Sequence, residues 1–191
     1  MARNPEQTRE RILQAAGRLF YREGIRPVAM DSVAAAAGVT KPTLYYHFDS
    51  KENLVVAYLA HSSQHARASL LKAVSLRQAS PMERVLGTFD DLEARLSHEK
   101  FRGCPFINAA AELAASEPTR LAAAAHKANM RAWFETQLTE LGVPDPLVLS
   151  EQLMLLTDGA ISAWLVRRDP SAARRAREAA VVLLEAATRA K

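Results

Sequence analysis

The chain has 191 residues, 49% of them hydrophobic, which suits one large domain or two small ones with room for a sizeable core. Its single cysteine excludes an intrachain disulfide, no apolar run reaches the ~18 residues that span a bilayer, and the N-terminus lacks the apolar core of a secretory signal, so a cytoplasmic protein with no membrane partner is expected. The net charge of +4 is modest, but residues 1–51 hold eight basic against five acidic side chains while the other 140 hold 17 against 16; the excess sits in the first quarter and suits an anionic partner.

Abundant alanine and only 6% aromatic residues favour helices, and no period-two pattern competes with them. One signal recurs along the chain, a capping residue followed by proline: Asn4-Pro5, Ser80-Pro81, Asp145-Pro146 and Asp169-Pro170. The capping oxygen satisfies an orphan amide, and proline beside it has no amide to leave unpaired. Glu83, three residues after Ser80, completes a capping box.

The first helix is predicted from Pro5 to Arg22, with Ile12, Leu13, Ala16, Leu19 and Phe20 on one stripe. A short helix over Met30–Ala37 follows, closed by Gly38 as a left-handed cap. Thr40 caps a third, with Pro42 in its first turn. Asp49 and Ser50 restart the chain as a fourth helix, with Glu52 placed for a capping box from Asp49. Longer helices are expected over roughly 50–75, 81–98, 104–115, 118–141, 146–167 and 170–189. A small N-terminal unit, residues 1–49, is expected to give way to a helical bundle, residues 50–191, near the start of the fourth helix.

Two short helices joined by a glycine turn make a helix-turn-helix, whose second helix enters the DNA major groove. Val39, Leu44 and Phe48 supply its buried side. Lys41, Thr43, Tyr45, Tyr46 and His47 remain for the outward faces, where ammonium and hydroxyl groups reach phosphates or base edges. The free amides at Thr40 favour a phosphate, and Lys51 adds a further phosphate contact. Half-buried packing is the competing explanation for the two tyrosines alone; it does not account for the order of elements and the basic flank.

Other constellations are weaker. His61 and His65 are four apart on one helix, the spacing of two metal ligands, but no third ligand is close in sequence; packing or an effector contact is the expectation, with no metal and no cofactor. Cys104 is read as a small buried or pocket-lining residue rather than a redox sensor. Phe89, Phe106, Met130, Trp133, Phe134 and Trp164 suit a core, part of which lines a ligand cavity. The basic run over residues 167–177 is taken as a solvated face.

Residues 30–54, "MDSVAAAAGVTKPTLYYHFDSKENL", resemble the DNA-binding signature of the TetR family of bacterial transcriptional regulators. "TRERILQAAGRLFYREG" is similar to that family's first helix, and "GCPFINAAAEL", residues 103–113, to a stretch of its regulatory domains. Ala29 departs from the pattern, which has a polar residue at the start of the second helix. The resemblance implies an all-α homodimer with an N-terminal three-helix DNA-binding unit on double-stranded DNA, at a palindromic operator. It also implies a C-terminal bundle for ligand binding and dimerisation. Thr40, Lys41, Thr43, Tyr45, Tyr46, His47 and Lys51 are then the DNA contacts. The bundle would bind a small-molecule effector near His61, Phe89, Cys104, Phe106, Met130, Trp133, Phe134 and Trp164; its few polar groups suit an apolar or aromatic ligand that releases a repressor. Leu149, Leu153, Leu156, Ala160 and Ala163, with Val181 and Leu184, form the expected dimer faces of the last two helices. The alternatives are an effector-independent DNA-binding protein and an enzyme on a helical bundle. No nucleophile–base pair, phosphate loop or complete metal set points to the enzyme.

Overall fold

The computed structural model describes residues 4–77 and 79–189, with backbone alone for 69–77. Among these residues every regular element is a helix: α1 (Pro5–Glu23), α2 (Met30–Ala37), α3 (Lys41–His47), α4 (Lys51–Arg77), α5 (Pro81–Leu96), α6 (Pro105–Glu112), α7 (Glu117–Leu141), α8 (Pro146–Arg167) and α9 (Ser171–Arg189). The fold is all-α, as its composition and capping pattern imply.

The caps explain most boundaries. Asn4 accepts from the Glu6 amide, Asp145 from Val148 and Asp169 from Ser171, and Ser80 with Glu83 forms the reciprocal box. The start of α4 departs from expectation. Ser50, not Asp49, takes the capping role: its hydroxyl accepts from the Asn53 amide at 3.0 Å. Glu52 instead accepts from the Ser116 hydroxyl at 2.5 Å, a partner 64 residues away.

The chain divides into two compact units, Met1–Ser69 with Cys104–His126, and Leu70–Gly103 with Lys127–Lys191. In the first, α1 buries Ile12, Leu13, Ala15, Ala16 and Phe20, α2 buries Val33, Ala34 and Ala37, and Leu44, Phe48, Leu54, Val55 and Leu59 complete the core. Burying the isoleucine, leucine, valine and phenylalanine side chains among these stabilises by ~1.5–3 kcal/mol each before entropy is subtracted. Glu112, at the end of α6, accepts from the Ile25 and Arg26 amides at 2.7 and 3.1 Å and so closes the turn after α1. In the second unit, α9 packs on α5 and α8. Its buried Ala172, Ala173, Ala176 and Ala180 leave room for the close approach, and Phe89, Leu92, Leu153, Ile161 and Trp164 fill the space beside them. The basic run is a salted surface: Arg174, Arg175 and Arg177 pair with Glu93, Asp169 and Asp90.

Candidate nucleic-acid interface

Local chemistry shapes the α2–α3 unit. Gly38 adopts φ 61°, the left-handed conformation that glycine enters without steric cost, and the amides of Gly38 and Val39 close α2 on Ala35 and Ala34. Arg11 of α1 braces this turn by donating to the carbonyls of Ala37 and Gly38. Its guanidinium meets the C-terminal end of the α2 dipole, where a cation is favoured. Thr40 caps α3 by accepting from the Thr43 amide at 3.3 Å, and its hydroxyl is 2.8 Å from that of Thr43. Ala29, at the start of α2, makes no side-chain cap. Leu44 and Phe48 anchor the inner side of α3, and the Arg9 guanidinium lies 5.2 Å from the centre of the Phe48 ring.

The outer face carries the expected donors. Thr40, Lys41, Tyr45 and Tyr46 are exposed, Tyr46 most of all at 81%; Thr43, His47 and Lys51 are half-buried. Tyr46 and His47 meet edge to face at 5.2 Å. The two lysines are engaged within the protein. Lys41 pairs with Asp31 of α2 at 2.9 Å, and that hydrogen bond, with the Asp31 charge, raises the ammonium pKa above its usual value. Lys51 donates to the Arg26 carbonyl at 3.0 Å, and partial burial lowers its pKa. Sequence spacing pointed to neither partner. Nor did it find Arg11 or Glu112, whose partners lie 26 or more residues away.

The effector candidates fall into both units: His61, Cys104 and Phe106 in the first, Phe89, Met130, Trp133, Phe134 and Trp164 in the second. Phe106 stacks on His126 at 3.5 Å between ring centres, and the His126 Nδ1 is 3.0 Å from the Ser63 hydroxyl. Cys104 is buried. Phe89 and Phe134 are fully enclosed, Trp164 packs edge to face on Phe101 at 4.8 Å, and Met130 and Trp133 are half-buried. A crevice in the first unit, bounded by Phe20, Tyr58, Pro105, Asn108 and Glu112, holds about 10 Å³, the scale of one water. None of the effector candidates lines it. Burial pushes the Tyr58 hydroxyl beside it up to about 12, so that group stays neutral.

On α8, Leu149, Leu153 and Ala160 are buried within the chain, as is Leu184 of α9; Leu156, Ala163 and Val181 are half-buried. The opposite side of α8 is also largely apolar. Val148, Leu155, Gly159, Ser162 and Val166 share one exposed stripe at spacings of seven, four, three and four, with Leu155 72% and Val166 83% accessible. Between Val148 and Leu155 the exposed Glu151 and Gln152 fall on or beside the same stripe, so its apolar part is the C-terminal run from Leu155 to Val166, where Ser162 is the one polar side chain. On α9, Val182 is 67% accessible.

Comparison with known proteins agrees with this geometry. The family model for bacterial regulatory proteins of the tetR family matches residues 12–58, a stretch containing all of α2 and α3. A TetR-family transcriptional regulator of Streptomyces coelicolor, SCO4454, is 30% identical with a TM-score of 0.85 over 96% of this chain and 97% of that one. A TetR-type regulator of Streptomyces avermitilis, sav143, is 32% identical with a TM-score of 0.83 over 94% and 97%. An HTH-type transcriptional regulator of Mycobacterium tuberculosis, Rv1255c, is 37% identical over 86 residues, which cover 44% of this chain and 42% of the relative's length. Among the described residues, no helix is long and apolar enough to cross a membrane. The chain belongs to the TetR family of bacterial transcriptional regulators, and α2–turn–α3 is its DNA-binding helix-turn-helix.

Proposed function

We propose that the protein is a cytoplasmic repressor that acts by binding rather than catalysis, and that two copies hold a palindromic operator until a small effector releases them. The observation that carries the reading is the outer face of α3, where Thr40, Lys41, Tyr45 and Tyr46 stand exposed around a helix whose inner side is locked by Leu44. Residues 1–49 are the DNA-reading part and residues 50–191 the part that binds effector and pairs. Tyr45 and Tyr46 reach base edges or phosphates, Thr43 and His47 border them, and the Lys41 amide at the start of α3 meets a phosphate. Lys51 joins them by leaving the Arg26 carbonyl, a swap its flexible stem permits.

Pairing is supported by the exposed apolar side chains Leu155 and Val166 of α8, which a second copy would cover about a two-fold axis. Two recognition helices ~34–36 Å apart then read successive turns of one DNA face. A shift in their separation by the effector would weaken both half-sites together. The buried aromatic side chains favour an apolar or aromatic effector. One observation favours the alternative, an effector-independent DNA-binding protein: the described crevice is water-sized.

The test is a band-shift titration on the DNA upstream of the protein's own gene at several salt concentrations. Tyr45→Ala should weaken binding without unfolding the chain, and Lys51→Ala should also reduce the salt slope by about one. Unchanged affinity in both variants would remove α3 from the groove.

A further inference from the structure

Glu10 of α1 and His61 and His65 of α4 converge, although the two helices are far apart in sequence. The His61 Nε2 lies 2.9 Å from the Glu10 Oε1 and 3.1 Å from the His65 Nε2. The ligand atoms of all three residues lie within 4.8 Å of one another. The imidazole rings meet edge to face with centres 4.3 Å apart. Gln14, one turn along α1, donates to the same Glu10 oxygen at 2.9 Å and orients it.

The protons do not satisfy this cluster well. With the carboxylate ionised, the proton for both contacts must come from an imidazole nitrogen. If the His61 Nε2 carries it, one N–H must serve two acceptors. If the His65 Nε2 carries it instead, the His61 lone pair faces the carboxylate. Two imidazole nitrogens and a carboxylate oxygen gathered within 4.8 Å are donors that a cation accepts.

We propose that Glu10, His61 and His65 form a binding site for a divalent transition-metal ion. Two imidazoles and one carboxylate are a borderline set suited to Zn²⁺, Ni²⁺ or Co²⁺ rather than to hard Mg²⁺ or Ca²⁺, which prefer all-oxygen shells. Tetrahedral bonds of ~2.0–2.1 Å would set the donor atoms ~3.3 Å apart, so His61 needs to move by only a few tenths of an ångström from Glu10 and from His65, and the three donors already lie within 4.8 Å of one another. Three protein ligands leave a fourth position open to water. The bound ion clamps α1 to α4 one residue before Arg11, the side chain that braces the helix-turn-helix turn.

Zinc is titrated into the full chain, free of any histidine tag, by calorimetry, with a thermal melt at each ratio. The expected result is one Zn²⁺ per chain, a raised melting temperature and no comparable heat from Mg²⁺. Glu10→Gln and His65→Ala alter half-buried and exposed side chains, so the metal-free fold should persist; each should weaken zinc binding about tenfold or more. Zinc affinity unchanged in both variants, whatever its magnitude, would overturn the site and assign binding to histidines elsewhere. Neither readout involves DNA, so the result is independent of operator binding.

Discussion

Both α3 and α8 leave large side chains in the open, yet of different kinds. On α3 they are Tyr45 and Tyr46, rings with a hydroxyl at the tip, set among Thr40, Lys41 and Thr43. On α8 they are Leu155 and Val166, aliphatic groups with no polar atom, on a stripe that the small Gly159 and Ser162 keep low. An amphipathic tip gains from a wet, charged partner; an aliphatic side chain gains only when another apolar surface removes it from water. Exposure alone would class the two helices together. The polar handles on the large side chains separate the face we propose to read DNA from the one we propose to pair.

The largest effect should come from breaking the stripe. Leu155→Glu would bury two unpaired carboxylates per dimer at several kcal/mol each, so light scattering should report a folded monomer whose melting temperature is lower than the dimer's and independent of protein concentration. A dimer unaffected by this change would move the interface elsewhere. Leu153→Ala, from the buried side of the same helix, should do the reverse, costing ~2–5 kcal/mol of stability in a denaturant titration. On α3 the split should recur at smaller scale. Tyr46→Ala should reduce operator affinity about tenfold, with stability within ~0.5 kcal/mol of wild type. Asp31→Asn should sharpen the picture from the other side. It removes a carboxylate from the DNA-facing surface and frees Lys41, so anisotropy titrations should show tighter binding by a few fold and a salt slope steeper by about one. Smallest of all, Ala29→Ser should supply α2 with its missing cap. The amide there is open and Ala29 already has the extended conformation of a cap, so a gain of ~1 kcal/mol is expected, read as a rise of ~2–4 °C in the melt.

Much of the helix-turn-helix is legible in the sequence. Gly38, Thr40 and Pro42 write a turn and a helix start through local backbone chemistry, and the boundaries of α2 and α3 follow from them. In a seven-residue helix anchored by Leu44 there is little choice of inner face. The facing of α8 was not legible in the same way. Apolar residues line both its sides, so periodicity chose Leu149, Leu153, Leu156 and Ala160 without revealing that the first two and the last belong to the chain's own core. The start of α4 misled for a related reason: Asp49 and Ser50 are both competent caps, and Glu52 was drawn to Ser116, a residue no local rule could bring near.

By itself the sequence determined the all-helical class, the order and most starts of the helices, and the polar chemistry of α3, because caps, glycine turns and side-chain periodicity act within a few residues; the ends of α4, α5 and α6 fall at Arg77, Leu96 and Glu112. Tertiary structure alone decided which side of α8 is spent on the core, which lysines are already engaged, and where Glu112 closes the turn after α1. It also brought Glu10 to His61 and His65, supplying the third ligand that was missing along the chain. These depend on contacts across 10 to 87 residues, and no local rule of caps or periodicity specifies a partner at that range.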